Sequence, residues 1–174
     1  MQANLERLKD QETHLVLAFL DLGAAWELGT CAVRRAQVEM LAVSIQVRLG
    51  ERTVFSAAMP GSTAVTDDWA ARKARVVHGF EQSSLLVRRS HEASGIDFEG
   101  KHGFSPLEYR AFGGAFPLRD ASGFRGSLSV SGLSEEEDHA FCVSVLEEFL
   151  TPRRLSTEDS KNAIDEPNDP RQTV

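Results

Sequence analysis

Residues 113–149 read GGAFPLRDASGFRGSLSVSGLSEEEDHAFCVSVLEEF, and this stretch decides the fold. Gly113-Gly114 leads into the apolar run Ala115-Phe116-Pro117-Leu118. Asp120-Ala121-Ser122-Gly123 then turns the chain, and Phe124 to Ser131 returns as a second strand, so the pair reads as a β-hairpin. Pro117 has no backbone N–H, which places its strand at an edge or lets it pair there only through carbonyls. Twelve residues after Leu118, Val130-Ser131-Gly132-Leu133 stops the second strand at a glycine. It runs at once into Ser134-Glu135-Glu136-Glu137, a serine cap with a glutamate three positions later, the capping-box pattern. The helix that follows carries Phe141, Cys142, Val145 and Phe149 on one face and ends before Pro152.

Working outward, Leu41 to Leu49 alternates: Leu41, Val43, Ile45, Val47 and Leu49 face one way, Ser44, Gln46 and Arg48 the other. Gly50-Glu51 fits a two-residue type II′ turn and pairs this strand antiparallel with Arg52 to Met59. After the Pro60-Gly61 break, Thr66 is expected to cap a helix to about Phe80, with Asp67 and Asp68 in its first turn. Ser83 or Ser84 caps another to about Ala93, and Ser105-Pro106 opens a short helical turn. Upstream, residues 3 to 12 are helical in propensity with Leu5 and Leu8 on one side. His14 to Leu20 reads as a short buried strand. A helix over 23–39 has Trp26, Val33 and Ala36 at helical intervals. Gly29 inside it costs about 1 kcal/mol relative to alanine, which implies close backbone packing there. The order strand, helix, hairpin, helices, hairpin, helix implies an α/β (α+β) domain with a five-stranded antiparallel sheet and helices packed on it.

The two motifs at 113–118 and 130–139, with Trp26-Glu27-Leu28-Gly29 and Asp68-Trp69 followed by Arg72-Lys73, resemble the haem-degrading-domain family. This is the GlcG/HbpS-like group that includes the PduO C-terminal domain, and the match is to a branch with no assigned biochemical role. The resemblance covers residues 5 to 150 and implies a profilin-like three-layer sandwich with helices on both sheet faces. It also implies a homo-oligomer and haem as a possible cofactor. Relatives do not share one iron ligand, and none of their ligand positions carries over to this chain. Some fungal relatives associate with chaperone machinery.

Composition bounds the remaining readings. The chain has 174 residues, 41 % hydrophobic, which suits one domain with a single core. We expect a domain over 1–150 and a disordered tail over 151–174, since TPRRLSTEDSKNAIDEPNDPRQTV holds three of the six prolines and little apolar periodicity. A net charge of −7 argues against nucleic acid or an anionic membrane as partner. Cys31 and Cys142 lie in apolar stripes without metal or redox spacing, as buried free thiols of a reducing compartment do. No run approaches the ~20 apolar residues of a membrane span, and no signal-peptide core is present, so the expected location is cytoplasmic.

The candidate chemistry centres on Lys73, which falls four residues after Trp69 on the apolar stripe of its helix. Its stem packs on Trp69 with the ammonium in water, or the ammonium meets a ligand carboxylate, with Arg72 and Arg75 beside it. Asp138, in the first turn of the last helix, is favoured there by the helix dipole, next to the Gly113-Gly114 turn. It serves that turn or faces a ligand. Gly113 and Gly114 allow a ligand near the backbone, or simply a tight strand entry. Among the five histidines, His139 stands beside Asp138, His78 on the polar side of its helix, and His102 in a glycine-flanked loop. None forms HxxxH, HExxH or CxxCH, so no metal site is legible. The ligand-binding candidates are therefore Arg72, Lys73, Gly113, Gly114, Asp138 and His139. Ser131 has no histidine placed to activate it, and no residue set supplies a nucleophile or acid–base pair, so the catalytic residues stay unknown. The leading function is binding of haem or another anionic small molecule by a homo-oligomer. Two further readings are an enzyme that degrades haem or modifies a small carbonyl compound, and a non-catalytic assembly or chaperone-associated adaptor.

Overall fold

The computed structural model describes residues 2–151, so the tail expected from Thr151 falls, beyond that residue, outside the described residues. In chain order the elements are α1 (Gln2–His14), α2 (Leu22–Val38), β1 (Ser44–Leu49), β2 (Arg52–Ala58), α3 (Ala64–Phe80), α4 (Ser84–Ala93), α5 (Phe98–His102), β3 (Ala115–Asp120), β4 (Gly123–Ser131) and α6 (Glu135–Leu150). The strands make one antiparallel sheet in the order β2-β1-β4-β3. Each hairpin forms as expected, and the two join through β1 and β4, with Ser44 opposite Ser131 and Leu49 opposite Gly126. Of the Gly50-Glu51 turn pair, only Gly50 has a positive φ, as a type II′ turn requires.

Alternation along the strands sorts the layers. Val43, Ile45 and Val47 share a face with Phe116, Leu118, Leu128 and Val130, and α2 and α6 cover it as the main core. Gly29 lies here, where a Cβ would stand 2.4 Å from the Phe55 ring, so the expected close packing is real. On the opposite face α3 crosses β1, β4 and β3. The sheet meets it with Ser44, Ser127 and Ser129, all buried, and α3 answers with Ala70 and Ala74. Small side chains on both partners let a helix lie close on a face that reads as polar in sequence. α4 packs beside α3 at the β3 edge and carries α1.

The expected fifth strand does not form: the sheet has four strands. Residues 15–20 run beside β3 with Leu15, Leu17 and Leu20 buried, so the burial was readable. The hydrogen bonding differs: among the described residues one backbone bond joins this segment to β3. The Leu17 N–H donates to the Arg119 carbonyl at 2.9 Å, and the chain then bends. The Leu20 N–H goes to the Asp120 carboxylate at 3.2 Å instead of to a strand. Two local expectations are also corrected. The cap of α3 is Thr63, and Thr66 is the returning residue, accepting the Thr63 N–H at 3.0 Å. His102 ends α5, a one-turn helix capped by Asp97, and does not stand in a loop.

Candidate ligand pocket

Three elements converge on one ion pair. α3 carries Lys73 inward, the first turn of α6 carries Asp138, and the end of β4 supplies backbone. The Lys73 ammonium donates to Asp138 Oδ2 at 2.7 Å and to the Val130 carbonyl at 3.2 Å. Asp138 Oδ1 accepts the Leu133 N–H at 3.1 Å. The two side chains are only 4 % and 1 % exposed. Lys73 therefore does not reach open water; a carboxylate of its own chain holds it. Burial pushes the Asp138 carboxyl up, while Lys73 and the Leu133 N–H pull it back.

The glycine pair passes directly over this centre. Gly114 adopts φ +117°, and a Cβ there would lie 2.8 Å from Lys73 Nζ and 2.5 Å from the Val130 carbonyl oxygen. At Gly113 a Cβ would meet the Glu135 carbonyl oxygen at 2.1 Å. Both positions need glycine for close approach to the ion pair and the α6 start.

Outside the pair opens a cavity of about 320 Å³, with Trp69, Phe112, Val65 and Leu133 on its walls and Lys73 and Asp138 at its inner end. Trp69 and Phe112 meet edge to face, centroids 5.4 Å apart at 82°. Guanidinium groups surround them: Arg110 at 5.6 Å and Arg72 at 5.8 Å from the Trp69 ring, Arg88 at 4.0 Å over Phe112. Arg72 is held by Asp68 and by the Pro106 carbonyl at 3.2 Å. Arg110 pairs with Glu99 at 3.2 Å, and Arg88 with Glu92 at 2.8 Å. Arg72 and Arg110 each keep a buried Nε–H with no partner among the described residues. The arrangement suits a molecule that combines an apolar face with carboxylates, the first packing against the aromatic walls and the second meeting guanidinium groups.

Of the sequence candidates, Lys73, Asp138, Gly113 and Gly114 come together and Arg72 stands beside Trp69. His139 leaves the group. Its ring faces α1, with Nε2 3.0 Å from Gln11 Oε1 and Phe116 alongside, and burial drives its pKa down to about 4. His78 is not on an open polar side; it packs edge-on against Phe124, with Nε2 3.2 Å from Ser127 Oγ. Cys31 and Cys142 are buried free thiols as expected. Phe112 and Arg110 were missed. Neither falls in a periodic element, and only the position of Phe112 immediately before Gly113 pointed to it.

Comparison with known proteins agrees with this architecture. Residues 20–147 match the family described as haem degrading protein HbpS-like. A UPF0303 protein of Streptomyces avermitilis is 39 % identical over 148 residues, covering 84 % of this chain and 91 % of the relative. One from Serratia proteamaculans is 37 % identical over 148 residues, covering 84 % and 92 %. Among solved structures, the Ybr137w protein superposes with a TM-score of 0.76 at 27 % identity, covering 83 % of this chain and 88 % of that one. The PduOC:haem complex superposes with a TM-score of 0.65 at 21 % identity, covering 74 % and 93 %, a likeness of fold.

Proposed function

This chain belongs to the HbpS-like haem-degrading protein family, and from that premise we propose that it binds an anionic small molecule with an apolar face against the Trp69–Phe112 pair. Haem is the named candidate. The observation that carries the reading is a cavity walled by Trp69 and Phe112 and closed by the Lys73–Asp138 pair, with Arg72, Arg88 and Arg110 packed against those two rings. The volume, about 320 Å³, falls at the lower end of small-molecule sites. No imidazole, thiol or thioether lines this cavity among the described residues. It offers a porphyrin's face an aromatic wall and its carboxylates nearby guanidinium groups, and offers the iron no such ligand.

The test uses the chain's two tryptophans. In a Trp26→Phe background, Trp69 fluorescence is followed while haemin, and separately iron-free protoporphyrin, is added. Saturable quenching by both, weakened tenfold or more by Arg110→Ala and by Phe112→Ala, is the expected result. Equal affinity in both variants, or no quenching, overturns the site.

We also propose that copies of the chain associate. Phe19, Leu22 and Trp26 are 64 %, 56 % and 61 % exposed along the start of α2, an apolar patch of the kind that marks interaction surfaces. Light scattering should give a mass of two or more subunits, reduced by Trp26→Asp; a monomer mass in the intact protein refutes it. This same patch is what favours the adaptor role if no porphyrin binds.

A further inference from the structure

His91, near the end of α4, and His102, at the end of α5, turn their rings toward one another, with Nε2 to Nε2 at 2.9 Å. The His91 Nδ1 is 2.8 Å from the Val87 carbonyl, so Nδ1 carries the proton and Nε2 presents its lone pair. A carbonyl accepting from the far ring nitrogen is the usual way a metal-bound imidazole is oriented. We propose that His91 and His102 form a two-nitrogen binding site for a borderline transition-metal ion, Zn(II) or Cu(II).

The distance supports this. Two imidazole nitrogens, each about 2.0–2.1 Å from an ion, lie about 2.9 Å apart at the right angle of tetragonal Cu(II). At the tetrahedral angle of Zn(II) they lie about 3.3 Å apart, which a small outward shift of His102 reaches. Without an ion, His102 Nε2–H donates to His91 Nε2. An ion takes that place when His102 shifts its proton from Nε2 to Nδ1, so each ring stays neutral and the proton count is unchanged. Aromatic rings hold the two imidazoles in place. His102 stacks on Phe104 at 5.3 Å and 18°, Phe80 meets it edge-on at 5.1 Å, and Phe98 lies 5.3 Å from His91.

Carboxylates nearby are already engaged. Glu92 pairs with Arg88 and Arg89, Glu99 pairs with Arg110, and Asp97 caps α5. No group of three or more His, Cys, Asp or Glu that could hold an ion occurs among the described residues. Water therefore completes the coordination, which suits the nitrogen preference of Cu(II) and the borderline character of Zn(II). The ion would tie α4 to α5 beside a second cavity of about 280 Å³, which has His91, Arg88, Arg110 and Phe112 in its wall. Phe112 also borders the proposed ligand pocket, yet the metal site stands on its own geometry.

The test is calorimetric titration of the full chain with ZnCl₂ and with CuSO₄, with electron paramagnetic resonance of the Cu(II) form. One ion per chain, two nitrogen couplings, and affinity tenfold or more weaker in both His91→Gln and His102→Gln but not in His78→Gln is the expected result. No binding by the intact protein, or affinity unchanged from the intact protein in either variant, overturns the site. Ring ¹H–¹⁵N spectra of the intact protein answer independently of any substitution. Zn(II) should move the His91 and His102 resonances together, and movement of neither refutes the proposal.

Discussion

Lys73 and Asp138 lie 65 residues apart in the chain and 2.7 Å apart in the fold. A buried ion pair of this kind adds little net stability over an apolar pair, but breaking it by removing one partner is expensive, about 3–5 kcal/mol. Lys73→Ala should therefore lower the urea midpoint steeply, while Lys73→Met with Asp138→Leu should recover most of the loss. Equal losses in the single and double variants would show that the pair's charge is not what matters. Gly114→Ala tests the close approach: at φ +117° with Val130 O 2.5 Å from the new Cβ, it should cost more than about 1 kcal/mol in the same assay. In sequence, Lys73 was readable as a cation on an inward stripe and Asp138 as a dipole-favoured carboxylate. Their pairing was not, because nothing local sets which residues α3 and α6 bring face to face.

The elements follow from local chemistry where that chemistry is dense. The start of α6 is the clearest case: the Glu137 N–H reaches Ser134 Oγ at 3.3 Å, and Glu137 Oε2 accepts the Ser134 N–H at 3.1 Å. Ser134→Ala should lower stability by about 1 kcal/mol, read from thermal unfolding, and no loss would mean that packing alone fixes this start. Alternation likewise made β1 legible, and the cap at Ser83 marked α4. The segment over 15–20 failed as a strand because it makes one backbone bond to β3 and then bends, the Leu20 N–H turning to the Asp120 carboxylate. α5 escaped notice because five residues carry no periodicity and the helix stands on Phe98 packing into the cluster of Val76, Val87 and Ala111.

At the scale of the whole molecule, stability should depend on pH through histidine burial. His139 is buried with its pKa pushed from 6.5 to about 4, chiefly by desolvation. The unfolded chain then binds the proton more tightly than the native one between those values. Stability consequently rises with pH across the interval, is complete above about 6.5, and is lost as pH falls toward 4. The gap corresponds to at most about 3 kcal/mol, and burial lowers His78 in the same direction. Urea unfolding at a series of pH values should show this slope in the wild type and a much flatter one in His139→Leu. An unchanged slope would assign the effect to other groups.

What the amino-acid sequence determined by itself is most of the longer elements and the way they pair nearby: two hairpins, the capped α6, the covered apolar face of β1 and the family they resemble. These rest on period, turn chemistry and caps, all of which act within a dozen residues. Only the tertiary structure decided that the sheet stops at four strands, that a serine-lined face is buried under α3, and that Lys73 meets Asp138. The same holds for His91 facing His102 and for Phe112 closing on Trp69. Each depends on which elements the layers press together, and side chains that meet only by packing leave no periodic signal in the chain.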